Sequence, residues 1–208
     1  MLLLSLLISL VSASAAAENQ AGTSGKPACC LTNSPGPGPF SDTSLYQLES
    51  TWISATGSKL KLQDLKGKVQ VATMFFAKCE FACPVLVHDM KRIEAALPAT
   101  LRTNVGFLLV SFDSERDTPE ALRAYSQRVE LDPERWTLLR GSQDDVLELA
   151  ALLGIQFKKD SRGQFAHSNV ITILNSTGEI VFQQIGLNQD IQSTLKAITT
   201  AACEPQRP

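Results

Sequence analysis

Two stretches of the chain are almost continuously apolar. They are residues 69–76 (VQVATMFF) and 104–112 (NVGFLLVSF), and both are rich in β-branched and aromatic side chains. Runs of this kind are typical of strands that are buried on both faces of a sheet. The pattern therefore predicts two central strands.

Apolar residues at helical spacing recur between and after these strands. Pro84 and Pro119 suit the first turn of a helix, Thr118 suits an N-cap, and Gly154 suits a C-terminal stop. These signals predict four helices, over residues 85–97, 119–129, 144–153 and 190–202.

Shorter apolar or alternating segments predict the remaining strands. Residues 45–53 and 59–62 flank a turn at Thr56 and Gly57, which predicts an N-terminal β-hairpin. Further strands are predicted at residues 136–139, 155–158, 168–174 and 179–184. Strands that alternate with helices predict an α/β fold, with a mixed central sheet and helices on both faces.

Cys79 and Cys83 lie on the loop and first helical turn that follow the first central strand. Free backbone N–H groups and the positive end of the helix dipole favour thiolate there, which predicts redox chemistry or soft-metal binding. Two unreactive buried cysteines, or a disulfide that acts as a redox switch, are alternatives. The Cys-x-x-x-Cys spacing differs from that of thioredoxin-type oxidoreductases and favours a metal clamp.

The chain contains two histidines. His88 falls on the predicted helix after Pro84 and is compatible with an ordinary surface residue. His167 precedes a predicted strand at the sheet edge that also carries the thiols, so we predict it as a third ligand. Two thiolates and one imidazole suit Cu(I) and can also hold Cu(II), whereas Zn(II) normally requires a fourth ligand.

The length of 208 residues, with 19 basic and 21 acidic side chains, suits one globular domain with flanking segments. The sequence shows no basic run that would indicate nucleic acid, and no cationic amphipathic helix that would indicate a membrane surface. We therefore expect no nucleic-acid partner.

The N-terminal residues 1–17 form the one strongly hydrophobic run, MLLLSLLISLVSASAAA. Its apolar core is too short to span a bilayer comfortably, and small residues offer cleavage sites at Ala15 and Ala17. This predicts a secretory signal peptide and a periplasmic or other extracytoplasmic location. Because no Lys or Arg precedes the apolar core, a longer form that starts upstream would instead carry a membrane anchor.

Gly, Pro and Ser are frequent in residues 18–44, which predicts a linker ahead of a domain at 45–202 and a tail at 203–208. The linker contains the adjacent pair Cys29 and Cys30. The total of five cysteines leaves at least one unpaired or paired between chains. The pair suits a disulfide with another thiol such as Cys203, or an auxiliary soft-metal or thiol-exchange site, and the sequence favours neither.

Three segments carry a resemblance to a known family: CEFACP at residues 79–84, SFDSERDTPE at 111–120 and AHSNVITILNSTGEIV at 166–181. With these segments the chain resembles the SCO/SenC family of thioredoxin-like copper proteins, over roughly residues 45–202. The resemblance implies a thioredoxin-like fold that binds one copper ion through Cys79, Cys83 and His167.

Members of that family take part in assembling the binuclear copper site of cytochrome c oxidase, by delivering copper or by keeping the recipient cysteines reduced. The resemblance therefore implies as partner the copper-site subunit of the oxidase, or another copper or thiol protein, with membrane proximity. Asp113 and Asp117 match acidic positions of the family motif. They would shape the loop near the metal or the partner surface, although helix capping and turn formation would explain both equally well.

The chain departs from the family pattern in two places. Glu80, Phe81 and Ala82 replace the Pro-Asp-Val-like residues expected between the thiols, and the family is usually tethered to a membrane, whereas the signal here resembles a cleavable one.

Two alternative functions belong to the same superfamily. An extracytoplasmic thiol–disulfide oxidoreductase would cycle Cys79 and Cys83, but residues 165–168 (FAHS) stand where thioredoxins usually carry a proline. A peroxidase-like relative would need a Ser or Thr placed to activate its cysteine, and Ala77 and Lys78 do not supply one. The leading interpretation is a copper-binding and delivery protein rather than an enzyme, and if the protein is an enzyme we expect a thiol–disulfide oxidoreductase.

Overall fold

The computed structural model describes residues 40–203. The predicted signal peptide, Cys29 and Cys30, and the tail after Cys203 lie outside these residues. The helices and strands of the described part are β1 (Trp52–Ser54), β2 (Lys59–Leu60), β3 (Val69–Phe75), α1 (Ala82–Ala96), β4 (Val105–Ser111), α2 (Pro119–Arg128), β5 (Trp136–Arg140), α3 (Gln143–Leu152), β6 (Phe157–Lys159), β7 (Phe165–His167), β8 (Val170–Leu174), β9 (Ile180–Ile185) and α4 (Gln192–Cys203).

Seven of the strands form one mixed sheet in the order β2-β1-β5-β4-β3-β8-β9. Strands β3, β4 and β5 run parallel, while β8 is antiparallel to β3. The hairpin β1–β2 extends one edge of the sheet, and β6 pairs with β7 in a separate two-stranded sheet. The predicted α/β class, with a mixed central sheet and an N-terminal hairpin, is confirmed.

Strands β3 and β4 form the centre of the core, and all seven residues of each are buried. Their continuous apolar sequences follow from this position, since both faces of the sheet are covered there by other segments of the protein. Because the two strands are parallel, their carboxyl ends reach the same edge of the sheet. The loops that follow β3 and β4 therefore meet at that edge.

The prediction of a strand over residues 45–53 was wrong. Leu45–Gln47 forms a 3₁₀ turn, and the strand is limited to Trp52–Ser54. The Ser44 hydroxyl accepts a hydrogen bond from the Tyr46 N–H at 3.1 Å, which caps the turn and competes with strand pairing.

Helix α1 begins at Ala82, so Pro84 is its third residue rather than its first. This is compatible with proline, because the first turn of a helix has no intrahelical partner for its N–H groups. His167 precedes β8, as predicted, and it is also the last residue of β7, a strand that the sequence did not predict. The bounds of the other predicted elements are confirmed to within two residues.

Within residues 40–203, no helix combines the length and the apolar composition that crossing a membrane requires.

Candidate metal centre

Cys79, Cys83 and His167 converge at the sheet edge where β3 and β4 end. Cys79 lies in the thiol loop (residues 76–81) between β3 and α1, Cys83 is the second residue of α1, and His167 ends β7. Their Sγ, Sγ and imidazole nitrogen atoms all lie within 4.8 Å of one another. Cys83 is fully buried, whereas Cys79 and His167 are partly exposed.

The start of α1 stabilises negative charge on Cys79. The Cys83 backbone N–H donates to Cys79 Sγ at 3.3 Å, as the position of the thiols at a helix N-terminus predicted. A hydrogen bond with the Cys83 side chain makes the largest contribution to lowering the Cys79 pKa, against the opposing effect of burial. The same hydrogen bond and burial raise the pKa of Cys83. Without a metal, the shared proton therefore resides on Cys83.

The imidazole of His167 is oriented by a backbone carbonyl. Its Nδ1 lies 3.0 Å from the Ser168 carbonyl oxygen, and its Nε2 lies 3.6 Å from Cys83 Sγ. Because a carbonyl oxygen only accepts hydrogen bonds, this contact assigns the proton to Nδ1 and leaves the Nε2 lone pair facing the thiols. This is the tautomer that ligation through Nε2 requires, and the carbonyl partner of Nδ1 orients the ring.

Aromatic side chains form one wall of the site. The Phe112 ring centroid lies 5.1 Å from that of His167, and the Phe76 ring meets the imidazole edge to face at 6.5 Å. Phe157 and Phe165 pack against Phe112 and extend this wall. These rings cover one side of the imidazole.

Asp113 and Asp117 lie beside the site, and each is 1% exposed. The Asp117 carboxylate accepts hydrogen bonds from the Ala77 N–H at 2.9 Å and from the Ser111 hydroxyl. Asp113 forms an ion pair with Arg116. In the described part of the chain, neither carboxylate belongs to the group of candidate metal ligands.

The remaining predicted candidates lie apart from this group. His88 is an exposed residue of α1, and Cys203 is an exposed, free cysteine at the end of α4. Neither is brought together with Cys79, Cys83 and His167.

The donor set fits a single soft metal ion. Bonds of about 2.0 to 2.3 Å from one ion to thiolate and imidazole donors place those donors no more than about 4.6 Å apart. The donors here lie within 4.8 Å of one another, so small adjustments would suffice. Over residues 40–203, no further Cys, His, Asp or Glu joins the group to supply a fourth ligand.

Sequence reasoning missed two arginines that contact the loops of the site. Arg128 donates to the Ala77 carbonyl oxygen at 3.2 Å, and Arg116 donates to the Gly163 carbonyl oxygen. Arg116 stands between Asp113 and Asp117, which was a usable signal, because buried carboxylates require a charged or hydrogen-bonding partner. Arg128 carried no such signal.

The SCO1/SenC family model matches residues 42–202. The chain belongs to the SCO1/SenC family. A relative described as an SCO1 protein homologue of Bacillus subtilis strain 168 is 27% identical over 165 residues, which cover 74% of this chain and 84% of the relative.

Solved structures of Sco proteins have the same fold. A SCO1/SenC family lipoprotein from Bacillus anthracis is 25% identical, with a TM-score of 0.68, over 76% of this chain and 96% of the other. BsSco, described as a member of the Sco family of cytochrome c oxidase assembly proteins, is 25% identical, with a TM-score of 0.65, over 73% and 90% of the two chains.

The structure of Arabidopsis thaliana ScoI with copper bound has a TM-score of 0.62. It is 21% identical over 73% of this chain and 96% of that chain. At this level of identity the likeness is one of fold. The predicted membership of the family and the thioredoxin-like fold are confirmed.

Proposed function

We propose that this SCO1/SenC protein binds one copper ion, as Cu(I) or Cu(II), through Cys79, Cys83 and His167. We propose further that it acts as an assembly factor for the binuclear copper site of cytochrome c oxidase. The observation that carries this proposal is the convergence of two thiols and one imidazole nitrogen within 4.8 Å at a single sheet edge.

The chemistry of these donors favours copper. Thiolate sulfur and imidazole nitrogen are soft and borderline ligands, and three of them suit trigonal Cu(I). Structural zinc normally takes four protein ligands, and residues 40–203 offer three in this group. The Nε2 lone pair of His167 is available without a change of tautomer, because Nδ1 already has its partner in the Ser168 carbonyl.

The relatives support the same function. A member of the family has been solved with copper bound, and BsSco is described as belonging to the oxidase assembly proteins. The partner we propose is therefore the copper-site subunit of the oxidase, or another protein with a thiol copper site. The predicted export signal would place the domain outside the cytoplasm, where such a partner is accessible.

A second candidate function is the reduction of a disulfide on a partner to two thiols, with Cys79 and Cys83 as the redox pair. The observation that favours it is the partly exposed Cys79, whose lowered pKa is that of an attacking thiolate. Attack of Cys79 on a partner disulfide would release one partner thiol and form a mixed disulfide. Attack by Cys83 would then release the second partner thiol and leave a Cys79–Cys83 disulfide.

A titration with Cu(I) against a competing chelator tests the proposal. We expect the reduced protein to bind one equivalent tightly, and we expect Cys79→Ala, Cys83→Ala and His167→Ala each to abolish or strongly weaken that binding. A second tight equivalent that survives these changes would identify another site, with Cys29 and Cys30 as its candidates. Absence of tight binding, together with a readily cycled Cys79–Cys83 disulfide, would favour the thiol reductant.

A further inference from the structure

Residues 111–118, here called the bridge segment, run from the last residue of β4 to the N-cap of α2 and contact both halves of the site. One half is the thiol loop. The other is the hairpin β6–β7, which carries His167 and belongs to a different sheet. The core fixes β3 and α1, whereas the two strands of the hairpin pair only with each other, so side-chain contacts contribute to its position beside the chain connection to β8.

The first contact of the bridge segment is with the thiol loop at Ala77. The Asp117 carboxylate accepts the Ala77 N–H at 2.9 Å, and from α2 the Arg128 guanidinium donates to the Ala77 carbonyl oxygen at 3.2 Å. Ala77 is buried and lies two positions before Cys79. Its N–H and its carbonyl oxygen are therefore both hydrogen-bonded to charged side chains. Charge-assisted hydrogen bonds in a buried setting are stronger and more directional than neutral ones.

The second contact is with the β6–β7 hairpin at Gly163. Arg116 pairs with Asp113 through Nε and donates to the Gly163 carbonyl through a terminal nitrogen. A Cβ atom at Gly163 would lie 2.7 Å from Arg116 Nη1, and the φ angle there is +75°, so glycine permits this close approach. An exposed pair between Glu115 and Lys159, at 2.8 Å, adds a weaker link to the same hairpin.

The two contacts are joined inside the bridge segment. The Ser111 hydroxyl donates to the Asp117 carboxylate and accepts the Asp113 N–H at 2.9 Å. The Asp117 N–H in turn donates to the Asp113 carbonyl at 3.0 Å. Ser111, Asp113 and Asp117 are all buried, so the network has little freedom to shift.

We propose that the bridge segment fixes the position of the thiol loop relative to the β6–β7 hairpin, and thereby the position of Cys79 relative to His167. Asp117 is a positioning residue for Cys79, acting through Ala77. Arg116 is a positioning residue for His167, acting through Gly163. The effect on copper rests on the proposed function, whereas the effect on the two loops does not.

The Asp117 contact is tested with Asp117→Ala and Asp117→Asn. We expect Asp117→Ala to raise the dissociation constant for Cu(I) by about tenfold, the scale on which outer partners of metal ligands act. Asp117→Asn keeps an acceptor oxygen and should recover most of the affinity. Asp89→Ala is the matched control, because Asp89 is also fully buried and accepts a backbone N–H, from Asn188 at 2.7 Å, away from the thiol loop. It should leave the dissociation constant unchanged.

The Arg116 contact is tested in two backgrounds. If Arg116 acts through His167, Arg116→Gln should weaken Cu(I) binding by about tenfold in the wild type and have no effect in His167→Ala. Asp117→Ala, which acts through the thiol loop, should weaken binding in both backgrounds. A general loss of structure would instead lower the affinity equally in both backgrounds for both variants.

Hydrogen exchange at the Ala77 amide provides a readout that needs no copper. We expect slow exchange in the wild type and fast exchange in Asp117→Ala, with the amides of β4 protected in both. Should Asp117→Ala fail to fold, Arg128→Met removes the contact on the other side of Ala77 and should weaken Cu(I) binding in the same direction.

Three results would overturn the inference. They are wild-type affinity in both Asp117→Ala and Arg128→Met, unchanged exchange at Ala77, and an equal effect of Arg116→Gln with and without His167. A wild-type protein that does not bind copper would instead overturn the proposed function, and exchange at Ala77 would still decide whether Asp117 holds the thiol loop.

Discussion

The Sγ atom of Cys83 lies 3.6 Å from Nε2 of His167, although 84 positions separate the two residues in the chain. The thiol is fixed by the core, since Cys83 is fully buried at the start of α1. The imidazole is carried by a two-stranded sheet outside the main sheet. The site is thus formed between an element of the core and a separate two-stranded sheet, and its properties should respond to changes in either.

Replacing His167 should weaken copper binding without abolishing the redox chemistry of the thiols. In His167→Ala, Cys79 and Cys83 remain as two ligands, so we expect the dissociation constant for Cu(I) to rise by at least about tenfold, which is the lower limit of what even an outer partner of a ligand contributes. The Cys79–Cys83 disulfide should still form and be reduced. His88→Ala is the matched control, because His88 is an exposed histidine on α1, and its affinity should equal that of the wild type. Unchanged affinity in His167→Ala would show that the ligand set is wrong.

The sequence was sufficient to predict the core and the thiols, because both have local signals. Strands β3 and β4 are buried along their full length, and burial on both faces produces a continuous apolar run that is visible without a structure. The position of Cys83 in the first turn of α1 followed from Pro84, whose place in a helix is restricted.

The contacts that orient the ligands could not be predicted, because they join segments far apart in the chain. The donation from Arg116 to Gly163 spans 47 positions, and that from Arg128 to Ala77 spans 51. Strand β7 was missed for a related reason: it has three residues, and its pairing with β6 provides the regularity that its own sequence lacks. The Ser168 carbonyl is a backbone group, so no residue type could have indicated it.

Cys79 should react as a thiolate at a pH where ordinary thiols are protonated. The hydrogen bond with Cys83 lowers the Cys79 pKa, so the thiolate persists as the pH falls from 8 to 6. A free cysteine, with a pKa of about 8.5, slows by nearly tenfold for each pH unit below that value. The test is alkylation of the metal-free protein by iodoacetamide at pH 6 and pH 8. Fragmentation of the peptide that contains both thiols identifies which one is modified. We expect Cys79 to be modified at nearly the same rate at the two pH values.

Cys83→Ala provides the control for this reactivity. The variant removes the side chain that makes the largest contribution to the Cys79 shift, so its Cys79 should slow markedly between pH 8 and pH 6. Preferential alkylation of Cys83 in the wild type would contradict the assignment of the proton to that buried residue.

The stability of the folded protein should depend on pH through Asp117. Burial raises the Asp117 pKa, against the hydrogen bonds from Ser111 and Ala77 that lower it. The folded state therefore binds this proton more tightly than the unfolded chain, whose Asp pKa is about 3.9. The contribution of Asp117 to the free energy of unfolding then falls as the pH rises from about 4 through its folded pKa. Because Asp117→Asn has no proton to release, urea unfolding should show the variant gaining stability relative to the wild type between pH 4 and pH 7. An equal difference at both pH values would contradict this prediction.

The aromatic wall should hold His167 in place, and Phe112 is its central member. Phe112 is fully buried, and its ring lies 5.1 Å from the imidazole. We expect Phe112→Leu to cost about 1 to 2 kcal/mol of unfolding free energy and to raise the dissociation constant for Cu(I) by about tenfold, because the ring no longer restricts the imidazole. Phe107→Leu is the matched control, since Phe107 is equally buried but stacks on Trp136 at 4.7 Å. It should lose similar stability in urea and bind copper like the wild type, and a loss of affinity in both variants would show that the core, rather than the wall, controls the site.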